Sequence, residues 1–186
     1  MLILASKSPR RIELLKQIYT KEIKVIPSNI DETKLVSSSV YDLPLIIAKA
    51  KGKDISIKYK DDYVLSADTI VICNNKKYGK PKNEQDAYDI LSMLNEKEHD
   101  VVTGYAIYKD GITFKECSVK STLIIHNLTD KIIKEYIKTK SPFDKAGAYG
   151  IQDLKYINTS LVYGSYYNVM GLPIEQLKKD IEELGI

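Results

Sequence analysis

Leu2-Ile3-Leu4-Ala5-Ser6-Lys7-Ser8-Pro9-Arg10-Arg11 decides how this chain folds. Leu2 to Ala5 is a short apolar run with the character of a buried strand, and after Pro9 the residues Ile12, Leu15, Ile18 and Tyr19 recur at helical spacing. The order is therefore strand, serine-containing loop, helix. Ser8 suits the N-cap and Pro9 the first helical position, because the cap needs a side-chain oxygen and the first turn makes no use of the amide hydrogen that proline lacks. That turn favours Asp or Glu, since its N–H groups carry partial positive charge, and two arginines there cost a few tenths of a kcal/mol. Two readings account for them. A polyphosphate would draw together the N–H groups, the Ser6 and Ser8 hydroxyls and the Arg10 and Arg11 guanidinium groups. Alternatively, the arginines are a solvated pair that tolerates the penalty.

Working outward, residues 22–27 read as a second strand, followed by the polar loop Ser28-Asn29-Ile30-Asp31-Glu32-Thr33. Residues 42–51 read as a helix stopped by Gly52, with Leu45, Ile46 and Ala48 on its apolar side. Tyr63 to Ala67 is a compact buried strand with Asp68 at its carboxyl end, and Thr69 to Cys73 continues extended to an Asn74-Asn75 hairpin turn. Asn83 caps a helix reaching Leu94 with Ala87, Ile90, Leu91 and Leu94 inward, and the strand runs 101–108 and 112–125 meet at Lys109-Asp110-Gly111. A helix follows Thr129 with Ile132, Ile133, Tyr136 and Ile137 inward; a glycine-rich segment then precedes a final helix opened by Pro173 and ended by Gly185. Strands and helices alternate early and hairpins dominate the middle, so the expected architecture is a mixed sheet with helices packed against it.

A length of 186 residues suffices for one α/β domain over 1–186, or for two lobes around a cleft, and no linker divides it. The formal charge of +3, with lysines spread evenly among acids, argues against a nucleic-acid or membrane surface. Cys73 and Cys117 stand far apart in apolar runs with no Cys-x-x-Cys pattern, as expected of buried reduced thiols. No apolar run has the length of a bilayer span, and a soluble cytoplasmic protein is expected.

Asp68, directly after a buried strand, lies where α/β proteins place ligands, with the Thr69 hydroxyl beside it; capping a loop or pairing with a lysine is the other reading. Asp31-Glu32 is either a solvated pair at a turn or, if it faces Asp68, a source of oxygen ligands for magnesium. Lys80, between Gly79 and Pro81, has the backbone of a positioned ammonium, whereas Lys49 shares its helix with Lys51 and Lys53 and reads as part of a solvated face. Neither belongs to a Gly-x-x-x-x-Gly-Lys-Ser/Thr loop, and no Gly-x-Gly-x-x-Gly fingerprint occurs. Asp144-Lys145-Ala146-Gly147-Ala148-Tyr149-Gly150-Ile151-Gln152 allows close backbone approach and ends in an amide able to read a nucleobase edge; Tyr149 as a core ring fits equally. His99 and His126 read as core or surface histidines, without a Ser-His-Asp pattern.

Together, Leu4-Ala5-Ser6-Lys7-Ser8-Pro9-Arg10-Arg11 with Glu13-Leu14-Leu15, Asp31-Glu32, Lys49-Ala50, Ala67-Asp68-Thr69, Gly79-Lys80-Pro81, Thr103-Gly104, the 144–152 segment and Asn168-Val169-Met170-Gly171-Leu172-Pro173, in this order, resemble the Maf family of nucleoside triphosphate pyrophosphatases. The resemblance implies an elongated mixed α/β sheet with flanking helices and two lobes around a cleft, related to inosine triphosphate pyrophosphatases. It implies hydrolysis of a nucleoside triphosphate to monophosphate and pyrophosphate with a divalent cation, magnesium or manganese. By motif, Asp68 would accept the proton, Glu32 and Asp68 would hold metal, Ser6, Ser8, Arg11, Lys49 and Lys80 would hold phosphates, and Arg10, Thr69 and Gln152 would govern nucleotide choice. The Ala-Gly-Ala-Tyr-Gly-Ile-Gln run resembles the branch acting on dTTP and UTP. A homodimer is also implied, and the family's association with septum formation offers a regulatory nucleotide-binding role as the alternative. Asp153 departs from the pattern, standing where a glycine commonly follows the glutamine.

Overall fold

In the computed structural model, which describes residues 1–186, Leu2–Leu4 forms the first strand (β1), buried along its whole length. It pairs in parallel with Ile23–Val25 (β2), Leu2 opposite Ile23, and with Tyr63–Cys73 (β3), Leu2 opposite Tyr63. Strands flanked on both sides in a parallel sheet are covered on both faces, which is why β1 and the start of β3 are continuous apolar runs. Pro9–Ile18 (α1) follows the opening loop as expected, and Leu43–Ser56 (α2) follows the polar loop. Further along come Lys76–Tyr78 (β4), Glu84–Leu94 (α3), Glu98–Lys109 (β5), Ile112–His126 (β6), Asp130–Lys138 (α4), Asn158–Tyr163 (β7), Tyr166–Met170 (α5) and Ile174–Leu184 (α6). The seven strands form one mixed sheet in the order β2-β1-β3-β5-β6-β7, with β4 on β3.

The chain divides into two compact units, the first Met1–Thr69, Thr103–Val119 and Gly171–Ile186, the second Ile70–Val102 and Lys120–Met170. In the first, Ile3, Ala5, Ile55, Val64, Ala106 and Tyr108 pack together. Its final helix α6 buries Ile174, Leu177 and Ile181 and ends at Gly185 in the left-handed conformation, and the buried Tyr105 hydroxyl donates to Asp180 on it. In the second, α3 and α4 lay Ala87, Ile90, Leu91, Leu94, Ile133, Tyr136 and Ile137 against Val71, Val101, Leu123 and Ile125 of the strands. Asn83 and Thr129 cap these helices by accepting the Asp86 and Ile132 amides. Asn74 and Asn75 adopt φ of 51° and 57°, the left-handed pair required where β3 turns into antiparallel β4.

Three expectations are corrected. Gly52 does not stop α2; it sits inside the helix because a Cβ there would lie 2.5 Å from Ser66 Oγ and 2.7 Å from the Tyr108 ring, so only glycine lets the helix lie this close to the strands. The buried stripe consequently runs through Leu43, Pro44, Ile47, Ala48, Gly52, Ile55 and Ser56, leaving Leu45 and Ile46 partly exposed. Asp68 lies in the interior of the eleven-residue β3 rather than at its end. β7 and α5 were absent from the sequence reading: β7 is an edge strand on β6 with mostly exposed residues, and α5 spans five residues, so neither has the periodic apolar signal that reports burial.

Candidate active site

Asp68 follows four fully buried residues of β3, Val64 to Ala67, which hold its backbone in place. Its Oδ1 lies 2.8 Å from Lys51 Nζ, and the same nitrogen lies 2.8 Å from Glu32 Oε1. One ammonium thus gathers two carboxylates from separate loops and strands. The Asp68 side chain is 13 % exposed, and burial pushes its pKa above the ordinary carboxylate range against the opposing pull of Lys51 and Arg11. Asp31, the other acid of the pair, turns away: its carboxylate accepts the Thr33 amide and hydroxyl at 3.1 and 2.6 Å and caps the short 3-10 turn Glu32–Lys34.

Lys51 is the residue that sequence reasoning missed. It occupies α2 four residues from Ile47 and from Ile55, both buried, so it interrupts the apolar stripe at helical spacing. A lysine on a buried stripe needs a partner, and that was the available signal. Lys49, two residues away, projects from another side of the helix and pairs with Glu116 at 2.6 Å, both side chains being substantially exposed.

The two arginines of the opening helix part company. Arg11 folds inward: Nε donates to the Gly171 carbonyl at 2.9 Å, Nη1 to the Ala67 carbonyl at 2.9 Å and Ser6 Oγ at 3.3 Å, and Nη2 to Thr69 Oγ1 at 2.9 Å. It therefore grips the residues on either side of Asp68. Desolvation lowers its pKa and the Asp68 charge raises it, but a guanidinium begins so high that it stays charged. Gly171 sits at φ 112°, a conformation open to glycine, and this presents its carbonyl to Arg11. Thr69 Oγ1 also meets Thr103 Oγ1 at 2.9 Å, so the Thr103-Gly104 and Gly171 motifs converge on the same threonine and arginine.

Ser6 is buried and its hydroxyl accepts the Ser8 amide at 3.2 Å in addition to Arg11. Ser8 occupies the N-cap position of α1, but its hydroxyl makes no capping bond, contrary to expectation; the amino end of the helix is not closed by its own side chain. Arg10 is partly exposed on the first turn. Basic side chains and an uncapped helix start beside an acid on β3 are groups whose chemistry suits anionic oxygen and a transferable proton.

Lys80 and Gln152 belong to the second unit. Lys80 is exposed, and the Gly79 carbonyl before it accepts the Gly147 amide at 3.0 Å, which ties the Gly-Lys-Pro segment to the glycine-rich turn. Tyr149 is a core ring whose hydroxyl lies 2.8 Å from His99 Nε2, while His99 Nδ1 lies 3.0 Å from the Lys97 carbonyl. The Gln152 side-chain carbonyl oxygen is buried and accepts no hydrogen bond. His126 is a partly exposed histidine on β6, as expected of a surface position, with Nδ1 3.0 Å from Glu96 and Nε2 3.0 Å from Ser160 on β7. Cys73 is buried as expected, whereas Cys117 is only partly so, and both are free.

No helix is long and apolar enough to cross a membrane. The fold resembles that of a HAM1 protein from Coxiella burnetii, with a TM-score of 0.56 at 16 % identity and 98 % of each chain covered, and the Staphylococcus aureus Ham1 protein, with a TM-score of 0.52 at 13 % identity and the same coverage. At that identity the likeness is one of fold alone. Residues 1–184 match the family described as Maf-like protein, and the chain belongs to that family. Curated relatives named dTTP/UTP pyrophosphatase include those of Carboxydothermus hydrogenoformans, 39 % identical over 98 % of this chain and 97 % of that protein, and Pyrococcus furiosus, 42 % identical over 97 % and 94 %. A third, from Thermosipho africanus, is 46 % identical over 95 % of this chain and 89 % of its own.

Proposed function

We propose that this chain is a nucleoside triphosphate pyrophosphatase that hydrolyses dTTP and UTP to the monophosphate and pyrophosphate. The observation that carries the reading is identity of 39–46 % to relatives bearing that name over at least 95 % of the chain. The geometry around Asp68 supports the chemistry. Burial makes Asp68 a stronger base than an exposed carboxylate, and the ammonium and guanidinium beside it keep it ionised, so it accepts the proton of the attacking water. Lys51 holds Glu32 and Asp68 together until substrate arrives. Arg10 and the uncapped start of α1 receive phosphate oxygens, whose growing negative charge is the main thing an enzyme of this type must stabilise. Arg11, with its donors directed at protein oxygens, keeps Asp68 and Thr69 in register. By the motifs that the chain shares with the family, Lys80 holds phosphate and the Gln152 amide reads the base.

Glu32 and Asp68 are hard oxygen donors already gathered at one cation, which fits a divalent ion that takes one or two carboxylates and completes its shell with water and phosphate. Magnesium or manganese held there would supply charge neutralisation at the phosphate oxygens and leaving pyrophosphate. The test is incubation of the purified chain with a panel of nucleoside triphosphates, with and without each metal, and identification of both products. Uridine or thymidine monophosphate with intact pyrophosphate, formed only when metal is present, is expected. Diphosphate with orthophosphate, or no turnover, overturns the assignment.

A further inference from the structure

Thr103 stands in β5 within the run Val101 to Tyr108, every residue of which is buried, and is itself wholly inaccessible to solvent. Valine has nearly the same shape, and a hydroxyl in an apolar interior costs free energy unless it is hydrogen-bonded. Its presence there therefore calls for a reason. Thr103 Oγ1 lies 2.9 Å from Thr69 Oγ1 on the neighbouring strand β3.

The Thr69 hydroxyl has one hydrogen and two lone pairs to satisfy. Arg11 Nη2, which can only donate, takes one lone pair at 2.9 Å, and the Gly171 carbonyl, which can only accept, lies 3.5 Å away. Thr103 is the third partner, as close as Arg11. Without it, a rotation of Thr69 to the next staggered position about χ1 would put a methyl group where Arg11 now meets oxygen. Arg11 reaches the two residues that flank Asp68 in different ways. Its bond to Ala67 ends on a backbone carbonyl fixed by the strand, whereas its bond to Thr69 ends on a side chain that must be held in one rotamer. Gly104 makes Thr103 a firm support for that rotamer. A Cβ at Gly104 would lie 2.4 Å from the Leu45 nitrogen and Cα and 2.7 Å from the Pro44 carbonyl carbon, so the first turn of α2 lies directly on β5 at this place.

We infer that Thr103 is a positioning residue for nucleotide hydrolysis: its hydroxyl holds Thr69, Thr69 holds Arg11, and Arg11 keeps Asp68 in line. The inference rests on the reading above in which Asp68 accepts the proton and Arg11 keeps it in register. It assigns Thr69 an effect exerted through Arg11, since its hydroxyl is already surrounded by protein partners.

The experiment measures kcat and KM for UTP with magnesium in the wild type, Thr103→Val, Thr103→Ser, Thr69→Val, the Thr69→Val/Thr103→Val double variant and Asp68→Asn. Thr103→Val is expected to lower kcat about tenfold with KM within about twofold of wild type, because the orientation of a reacting group is lost and not a binding contact. Thr103→Ser keeps the hydroxyl and returns kcat to within about threefold of wild type. Thr69→Val alone shows a loss like that of Thr103→Val, and adding Thr103→Val to it costs less than about twofold more, since residues acting in one chain are not additive. A merely structural role predicts losses that multiply in the double variant and a serine variant no better than the valine one; either result overturns the inference. So does a wild-type kcat in Thr103→Val, or a change confined to KM. Thr103→Ala takes the place of Thr103→Val in both the single and double variants if the valine protein does not fold. If Asp68→Asn is inactive while Thr103→Val keeps the wild-type kcat, the inference alone fails. If Asp68→Asn turns over like wild type, or the wild type itself does not hydrolyse UTP, the underlying reading fails and the inference falls with it.

Discussion

Asp68 is subject to two opposed effects: desolvation, which disfavours its charge, and two cations that restore it. Replacing Asp68 by Asn removes the proton acceptor while keeping the shape of the side chain, so turnover falls by roughly two or more powers of ten, with substrate affinity retained. Steady-state kinetics paired with nucleotide-binding titrations check this, and turnover within a few-fold of wild type removes Asp68 from the mechanism. Lys51→Met tests the other half of the pair. It leaves a largely buried carboxylate without its ammonium, and the expected loss in urea unfolding is about 3 kcal/mol, the low end for a broken buried pair because Arg11 remains and Glu32 is half solvated. A Lys49→Met variant, which breaks an exposed pair with Glu116, loses no more than about 1 kcal/mol. This contrast also marks what was legible. Asp68, Arg11 and Glu32 stood out in the sequence by residue type and place, whereas Lys51 and Lys49 are told apart there only by the spacing of Lys51 from Ile47 and Ile55, a signal that has meaning once the buried side of α2 is known.

At the level of elements, α2 sets local propensity against packing. Glycine in a helix interior is about 1 kcal/mol worse than alanine, so Gly52→Ala taken alone predicts a stabilised protein. The structure reverses the sign: the added methyl would meet Ser66 Oγ at 2.5 Å and Tyr108 at 2.7 Å, and Ser66 is itself bonded to the Ala48 carbonyl at 2.7 Å and cannot yield freely. Overpacking of this kind costs about 1–3 kcal/mol, which offsets the propensity gain and leaves a net loss of up to about 2 kcal/mol in a denaturant titration. A rise in the unfolding midpoint refutes the close packing of α2 on the strands. The sequence reading ended the helix at Gly52 for the same reason that it missed β7. Both judgements used local preference alone, and both elements are decided by neighbours far along the chain. Where preference and tertiary packing agree, as in α3 with its Asn83 cap and in the Asn74-Asn75 turn, the element was legible in advance.

Across the whole molecule, the mixed α/β class was readable because β1 and the start of β3 are apolar runs and α1 has helical spacing, and two lobes were expected; which stretches make up each unit was not readable, since each is assembled from separated stretches such as Met1–Thr69 and Gly171–Ile186. The Arg11–Gly171 bond, between groups 160 positions apart, is of that kind. The second unit carries its own titratable reporter in His99. Burial lowers the His99 pKa below the ordinary 6.5, and its two ring nitrogens are consistent with the neutral form, Nδ1–H donating to the Lys97 carbonyl and Nε2 accepting the Tyr149 hydroxyl. Asp100 opposes the shift without cancelling it. The unfolded chain, in which His99 titrates near its ordinary value, takes up a proton that the folded chain refuses. Stability is therefore full above about pH 6.5 and falls as pH drops toward the lowered folded value, by at most about 1.4 kcal/mol per pH unit from this one group. Urea unfolding at a series of pH values between 7.5 and 5 (~0.5-unit steps) should give a steeper acid loss for wild type than for His99→Gln, which cannot protonate. Equal slopes for the two proteins would mean that His99 is as free to protonate in the folded chain as in the unfolded one.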